Sequence, residues 1–216
     1  MVNLVLLIPY QRKKKALINF FNLLEKLMLH SDITTPPPRR IPIGHGCPHP
    51  SESDLMPMVW GVVEHAVSAL GINNTISNID FILAKDGPKI IEMTSRMGGT
   101  HLPEVCGTFW GIDMYDTALQ IALGIDPMLP PSPLGVPNAI QNLIFDQSGK
   151  VVRLGTMNEE FVWNLYFGDG DDVTLNAAKQ AELGYVQDIT SDVESLLESV
   201  TKAAEAFCNT TEYEVN

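Results

Sequence analysis

The sequence predicts an α+β fold in which a mainly antiparallel sheet is flanked by helices. Two observations predict it. Paired β-like runs are joined by short turns, as in "NIDFILAKDGPKIIEMT", and segments with apolar residues at helical spacing alternate with these pairs. Alternating hairpins and helices are typical of the α+β class. The chain has 216 residues, 45 % of them hydrophobic and 19 % charged, which is enough for a sizeable core.

The charge and the N-terminal pattern exclude several classes of protein. The formal net charge of −12 argues against a general nucleic-acid binder, which needs a basic face. The opening stretch "MVNLVLLIPYQRKKK" has its apolar run before its basic residues, the reverse of a secretory signal. That run is also far shorter than the ~20 residues of a membrane span. We therefore expect no nucleic-acid partner and no membrane association.

The cysteines favour a cytoplasmic location. Cys47, Cys106 and Cys208 are odd in number and widely spaced, and the sequence contains no Cys-x-x-Cys pair. This pattern suggests neither a disulfide framework nor a zinc knuckle, so a reducing compartment fits best. Cys106 lies in an apolar run and is expected to be a core thiol.

The first half of the chain contains a β-like run, two helix-like segments and a proline-rich connection. The run spans residues 2–8, and apolar residues three and four apart predict a helix in "ALINFFNLLEKLML". Pro36 to Pro38 forbid helix in the connection that follows. A second helix begins near Ser51, with acidic residues in its first turn, and ends at Gly71.

The second half predicts further strands and two helices. Strands of about 78–84 and 89–95 flank the turn "KDGPK", and Asp113 caps a helix in "MYDTALQIALG". "NAIQNLIF" with "DQSGKVVRL" forms a strand, turn, strand unit, and "ELGYVQDIT" forms a short strand. Ser191 and Glu194 form a capping box that opens the last helix.

Two acidic residues interrupt the strands on either side of "KDGPK", and the turn decides whether they share a face. A two-residue turn at "DG" would send the carboxylates of Asp80 and Glu92 to opposite faces. A three-residue loop, "KDG", would pair Ala84 with Pro88 and place Asp80 directly opposite Glu92, with Thr94 on the same face. The sequence leaves both turns open.

Facing carboxylates would need a partner. Two of them at about 5 Å across a ladder repel, and the usual remedies are a proton, a basic group or a bound cation. Two acids with a hydroxyl nearby suit Mg²⁺ better than zinc, and Arg96 suits phosphate oxygens beyond the metal. The alternative interpretation is an ordinary acidic pair on the solvent face of a hairpin, without any metal.

The same residues resemble the metal-binding end of ATP-grasp enzymes. "IDFIL", followed by "IIEMTSRMGGTHLPE", is similar to the family's pattern of an acid, a Glu-x-Asn-x-Arg cluster twelve residues on, and a glycine-rich turn. The segments "DITTPPPRRIPIGHGCPHP", "GIDMYDTALQIALGIDP", "GDGDDV" and "ELGYV" are similar to the carboxylate–amine ligase branch. The resemblance runs from about Leu27 to the last helix. It implies an ATP-grasp C-terminal lobe with an incomplete N-terminal lobe.

The resemblance implies a role for each residue at this end. The metal ligands would be Asp80, Glu92 and Thr94, with Glu92 also contacting ATP, and Arg96 would be catalytic by steadying the transferred phosphoryl group. The remaining contacts would be Ile82 and Ile91 at the adenine, and Gly98, Gly99 and His101 at the substrate. Strand alternation supports Ile82 but puts Ile91 on the face opposite Glu92. Thr94 stands where the family has Asn, and its hydroxyl is a weaker ligand.

The resemblance also implies domains and an activity. Residues 1–30 would be a divergent or truncated N-terminal segment, 31–208 the ATP-grasp C-terminal lobe with its C-terminal subdomain, and 209–216 a flexible tail. ATP, with Mg²⁺ or alternatively Mn²⁺, would phosphorylate a small-molecule carboxylate. A small-molecule amine would then attack the acyl phosphate to form an amide-type bond. A homodimer is compatible with this activity.

Two alternatives to a complete ligase stay open. A chain without the lid lobe would be a non-catalytic or fragmentary ATP-grasp module that needs that lobe or a partner for activity. A carboxylase component would share the same site, but the sequence has no biotin-type Met-Lys-Met signal. Whichever holds, His45 and His101 are expected in loops, where substrate contacts concentrate.

Overall fold

The strands form two sheets in the residues that the computed structural model describes, which are 2–8, 27–35, 41–190 and 192–215. The strands are β1 (Val2–Ile8), β2 (Leu27–Thr34), β3 (Pro42–Cys47), β4 (Thr75–Ala84), β5 (Gly87–Thr94), β6 (Asn138–Phe145), β7 (Gly149–Arg153), β8 (Val162–Leu165), β9 (Asp172–Val173), β10 (Ala181–Ile189) and β11 (Glu212–Val215). The helices are α1 (Glu52–Leu70), α2 (Leu102–Trp110), α3 (Met114–Ala122) and α4 (Leu196–Thr210).

Every described strand pair is antiparallel. The large sheet has the order β5-β4-β1-β2-β3-β6-β10-β8, and the small sheet has the order β11-β7-β9. Helices pack on the large sheet, so the predicted α+β class with a mainly antiparallel sheet is confirmed.

The helices cover both faces of the large sheet. α1 packs on β4 at Ile79 and Phe81. α4 packs on the same face further along, where Leu197 reaches β3. α2 and α3 lie on the opposite face, in a cluster that includes Ile76. Because side chains alternate along β4, Asp80 lies on the face away from α1, the one that carries α2 and α3.

Two predicted helix boundaries are confirmed, the end of α1 and the start of α3, whereas α3 ends at Ala122 rather than at the predicted Gly124. α1 ends at Gly71, whose φ of 65° lies in the left-handed region that glycine adopts without strain. At the start of α3 the Asp113 carboxylate accepts hydrogen bonds from the N–H groups of Tyr115 and Asp116, at 2.8 and 3.0 Å. Both ends follow local capping rules, which is why the sequence predicts them.

Residues 1–30, predicted to be a divergent or truncated N-terminal segment, contribute strands to the large sheet. β1 lies between β4 and β2, so residues 2–8 share a sheet with the lobe predicted for 31–208. Residues 27–29 belong to β2 rather than to the predicted helix, and residues 16–26 of that helix lie outside the described part of the chain. Pairing with β1 and β3 on either side outweighs the helical spacing of the apolar residues.

The C-terminal end is a strand, not the predicted flexible tail. α4 runs to Thr210, and β11 pairs with β7 while Tyr213 stacks on Phe145 with ring centroids 4.3 Å apart. Because β7 belongs to the small sheet, it does not form a hairpin with β6. α4 begins at Leu196. Ser191 of the predicted capping box lies outside the described residues.

α2 is a helix that the sequence pattern did not predict. It has nine residues, and seven of them are buried, so its apolar residues show no clear helical spacing. Cys106 is fully buried in it, as expected of a core thiol. Among the described residues, no helix has the length and apolar character needed to cross a bilayer.

Gly44 and Gly46 flank His45, and a larger residue is disfavoured at each position by a different neighbour. A Cβ on Gly44 would lie 2.3 Å from the backbone oxygen of Ile140, whereas a Cβ on Gly46 would meet the flexible end of Leu197 at 2.4 Å. Paired backbone cannot move aside as a leucine side chain can. We expect Gly44→Ala to lower the free energy of unfolding by about 1–3 kcal/mol, and Gly46→Ala by less. Equal losses in urea denaturation would contradict this explanation.

Candidate functional site

Asp80 of β4 and Glu92 of β5 face each other, as one of the two predicted registers requires. The turn itself is neither of the two predicted ones. Ala84 pairs with Gly87, so the two residues of the turn are Lys85 and Asp86. A β-bulge then leaves Ile91 unpaired and shifts the register by one residue. Without that bulge Asp80 would pair with Ile91, and Glu92 would point to the other face.

Negative charge accumulates around Asp80. Burial raises the pKa of the Asp80 carboxyl group, and the charges of Asp32 and Glu92 raise it further. A hydrogen bond from Asn78 and the charge of Arg96 act in the opposite direction without cancelling the rise. A half-buried carboxylate with two acidic neighbours is an environment that a bound cation would neutralise.

Asn78 adds an oxygen that the sequence analysis did not single out. It pairs with Thr94 in the ladder, and its Nδ2 donates to Asp80 Oδ1 at 3.2 Å. Its own Oδ1 is buried and has no hydrogen-bond partner among the described residues. The Thr94 hydroxyl donates instead to the Asn78 backbone oxygen at 3.3 Å. An orphaned amide oxygen beside two carboxylates fits an oxygen-binding ion such as Mg²⁺.

Arg96 and the two glycines follow β5. The Arg96 guanidinium is exposed and donates to the backbone oxygen of Met97 at 2.8 Å. A Cβ on Gly98 would lie 2.3 Å from Leu102 Cδ2, so Gly98 permits close packing against α2. A Cβ on Gly99 would meet no atom within 4 Å, so Gly99 borders open space. The substrate role of both glycines stays a prediction.

The bulge also changes the position of the two isoleucines. Ile82 and Ile91 are 47 % and 56 % exposed, whereas Ile90 and Met93 pack against the α1 cluster. The two residues between them, Ile91 and Glu92, therefore lie together on the side away from α1. The strand-alternation argument against Ile91 is wrong because it assumed a regular strand. Both exposed isoleucines stay candidates for the adenine wall.

His101 lies between two carboxylates at the start of α2. Its Nε2 is 3.1 Å from the Tyr166 hydroxyl and 3.4 Å from Glu182 Oε1, and its Nδ1 is 3.7 Å from Glu104 Oε1. Burial alone would lower the pKa of His101, but hydrogen bonding to Glu104 and Glu182 outweighs it and raises the pKa to about 9. The ring also packs against Tyr185, with centroids 4.2 Å apart. His101 is therefore an imidazolium at neutral pH.

A cavity of about 400 Å³ lies beside this cluster, between α2, the start of α3 and β10. Its polar lining includes Glu104, Tyr115, Tyr185 and Gln187. The Tyr115 hydroxyl donates to Glu104 Oε1 at 2.7 Å, while Glu104 Oε2 is buried with no hydrogen-bond partner in the described ranges. Burial would raise the pKa of Glu104, but hydrogen bonding to His101 and Tyr115 lowers it overall. The cavity therefore has an ionised wall.

A third polar group lies on the same face of the sheet. His45, expected in a loop, is in β3 and is buried against Asp32 of β2, with Nδ1 and Oδ1 2.8 Å apart. His30 lies beside them with no exposed surface. The spacing of "HSD" puts its first and third residues on one face of a strand, which is the signal that would have found this cluster.

The known protein sequences that are similar to this one match part of the chain. No family model matches it. Carnosine synthase 1 from Gallus gallus is 34 % identical over 65 residues, which are 30 % of this chain and 7 % of that protein. The chain thus spans a small part of the curated relative that it matches.

Solved structures match the chain over its whole length. Phosphoribosylglycinamide synthetase from Anaerococcus prevotii has a TM-score of 0.73 at 19 % identity, covering 100 % of this chain and 53 % of that one. L-amino acid ligase from Bacillus licheniformis has a TM-score of 0.70 at 14 % identity, covering 100 % and 52 %. The biotin carboxylase–βγ-ATP complex from Campylobacter jejuni has a TM-score of 0.69 at 13 % identity, covering 99 % and 46 %. The chain therefore spans about half the length of these proteins.

Proposed function

We propose, from the premise that this chain has the ATP-grasp fold, that it binds Mg²⁺–ATP at the Asp80–Glu92 end of the large sheet as part of a carboxylate–amine ligase. The fold itself is the one predicted from the sequence, and the structures matched over the whole chain confirm it. The observation that carries the proposal is the facing pair of carboxylates with the orphaned Asn78 oxygen beside them. One oxygen-binding cation would satisfy the two carboxylates and the amide oxygen together.

Each residue of this end has a part in the proposed site. Asp80, Glu92 and Asn78 would hold Mg²⁺, or alternatively Mn²⁺, and Thr94 would contact water on the ion. When bound, the ion supplies positive charge against the phosphates of ATP. The exposed Arg96 guanidinium would orient phosphoryl oxygens through its fork of N–H donors. The exposed Ile82 and Ile91 would provide an apolar wall for adenine.

The proposed reaction has two displacements. A carboxylate oxygen attacks the γ-phosphorus of ATP, ADP leaves, and an acyl phosphate forms. The bound ammonium group first loses a proton to water, and the free amine nitrogen then attacks the acyl carbon. Phosphate leaves, the nitrogen loses a second proton, and an amide-type bond results. Protein groups contribute positioning and charge neutralisation in such transfers.

The cavity beside His101 is the proposed place for the amine substrate. The ionised carboxylate of Glu104, a residue of the cavity lining, suits an ammonium group. The rings of Tyr115 and Tyr185 in the same lining add surfaces that favour a cation. Gly99, which borders open space, would let backbone approach the substrate. Both substrates are proposed to be small molecules, and the free cysteines agree with the proposed cytoplasmic location.

Isothermal titration of the 216-residue chain with ATP tests the proposal. We expect heat of binding with Mg²⁺ present and little with a chelator, because the ion joins the carboxylates to the phosphates. The Glu205→Gln variant, an exposed change on α4, should behave as the unaltered chain does. No heat up to millimolar Mg²⁺–ATP in folded protein would overturn nucleotide binding by this chain.

A non-catalytic module is the second candidate. It is favoured by one observation, which is that the chain spans about half the length of the structures it resembles. Such a module would need a further lobe or a partner to complete the nucleotide site. It predicts the negative titration just described, together with a folded chain by circular dichroism.

The replacement of Asn78 by alanine distinguishes its proposed role from that of Thr94. We expect Asn78→Ala to weaken Mg²⁺–ATP binding by about tenfold or more, in the range found when metal-site partners are removed. Thr94→Val should have a smaller effect, because its hydroxyl is already bonded to a backbone oxygen. Titration calorimetry of both variants measures this. A larger loss for Thr94→Val would assign the third ligand to residue 94.

A further inference from the structure

The buried cluster of His30, Asp32 and His45 has no part in the proposed ligase chemistry. His45 Nδ1 is 2.8 Å from Asp32 Oδ1, and His30 Nδ1 is 3.5 Å from the same oxygen. The two imidazole rings meet edge to face with centroids 5.1 Å apart. Each residue offers one ligand atom, and the three atoms lie within 4.8 Å of one another. They converge on one small volume.

His30 supplies a second, independent observation. It is 0 % exposed, and neither of its ring nitrogens makes a hydrogen bond within the described part of the chain. An unsatisfied buried polar group costs about 1–3 kcal/mol. A group that bonds to one of those nitrogens would remove this cost, and the nitrogen nearest to Asp32 is directed at the cluster.

We propose that His30, Asp32 and His45 bind one divalent transition-metal ion, with Zn²⁺ as the best match. Two imidazoles and a carboxylate are typical ligands of zinc, whereas Mg²⁺ takes oxygen ligands. Ligand atoms around a tetrahedral Zn²⁺ lie about 3.4 Å apart, given bonds of about 2.1 Å. The 3.5 Å separation already agrees, and the 2.8 Å hydrogen bond would open by about half an ångström when the ion replaces its proton.

The site shares no ligand with the Asp80–Glu92 pair, although the charge of Asp32 acts on Asp80. In the ladder Asp80 pairs with Asn3, and Asn3 pairs with His30, so one strand lies between Asp80 and His30. Two inter-strand spacings separate them by about 10 Å. Asp32 and His45 pair directly across β2 and β3. The ion would therefore cross-link these two central strands, and it would do so whether or not the chain binds ATP.

Metal titration of the chelator-treated 216-residue chain tests the proposal without nucleotide. We expect one Zn²⁺ per chain, a higher melting temperature with the ion, and the visible absorption of tetrahedral Co²⁺ when Co²⁺ is the probe. His45→Gln and His30→Gln should each weaken binding by about tenfold or more. His65→Gln, on the exposed surface of α1, should leave it unchanged.

Two results would overturn the proposal. The first is that the folded, unaltered chain takes up no stoichiometric Zn²⁺ or Co²⁺. This result does not depend on the folding of any variant. The second is metal uptake that survives in the folded His30 and His45 variants. Glu92→Gln should retain Zn²⁺ binding while losing Mg²⁺–ATP, so failure of the ligase proposal and failure of the zinc proposal are distinguishable.

Discussion

Glu92→Gln and Asp80→Asn are each expected to weaken Mg²⁺–ATP binding by at least about tenfold, and to abolish ATP-dependent turnover where the chain is active. Each change removes one of two facing carboxylates, and a neutral amide is a weaker ligand for a hard divalent ion. Titration calorimetry with Mg²⁺–ATP and an assay of ADP release measure the two effects. Unchanged affinity in either variant would remove that residue from the metal site.

The same variants are expected to stabilise the chain when no Mg²⁺ is present. The two carboxylates oppose each other across the ladder, and relief of such a like-charge pair contributes roughly 0.2–1 kcal/mol. Urea denaturation with a chelator measures this, with Glu205→Gln as the control for loss of an exposed carboxylate. A lower free energy of unfolding in both variants would show that the two carboxylates stabilise the ion-free fold, which contradicts their mutual repulsion.

The second large effect is the pH dependence of stability that comes from His101. Its pKa is raised from 6.5 to about 9 in the folded chain. The stabilisation by the charged ring is therefore fully present below about pH 6.5 and is lost as the pH rises through about 9. Because the ring is 15 % exposed, solvent screens it little. The expected loss in the free energy of unfolding is on the order of 3 kcal/mol.

His101→Asn is the variant that isolates this effect. Asn tolerates the left-handed backbone of residue 101, whose φ is 61°, so the change removes the charge with little backbone cost. We expect the variant to be less stable than the unaltered chain near pH 6.5 and equal to it above pH 9. Urea denaturation from pH 6 to 9.5 measures the curves, with the exposed His65→Gln as control. Parallel curves for the unaltered chain and His101→Asn would contradict the assignment of the raised pKa.

Local rules explain which parts of the fold were predictable. The Asp113 cap and the Gly71 stop act within a turn of the chain, so sequence alone located the start of α3 and the end of α1. The helix α2 escaped prediction because it is buried on most sides and has no polar stripe. The terminal strand escaped because its partner, β7, lies about sixty residues earlier in the chain.

The candidate site also contains features that the sequence predicted and features that it did not. The register that pairs Asp80 with Glu92 was one of two alternatives that the sequence left open. It results from the bulge at Ile91, which neither predicted turn includes. Asn78 lies two residues before Asp80 on the same strand, and Glu104 lies three residues after His101, so the spacing of both was a usable signal. Glu182 was missed because its importance comes from His101, which is 81 residues away in the chain. A side chain's spacing in the sequence carries no information about such neighbours.

The sequence by itself determined the class of the fold, the acidic pair with its arginine and glycines, and the family resemblance, because these depend on residue type and short spacing. Only the tertiary structure decided the pairing register, the charge of His101 and the convergence of His30, Asp32 and His45. Each of these depends on which strands lie side by side, and strand order is settled by packing over the whole sheet.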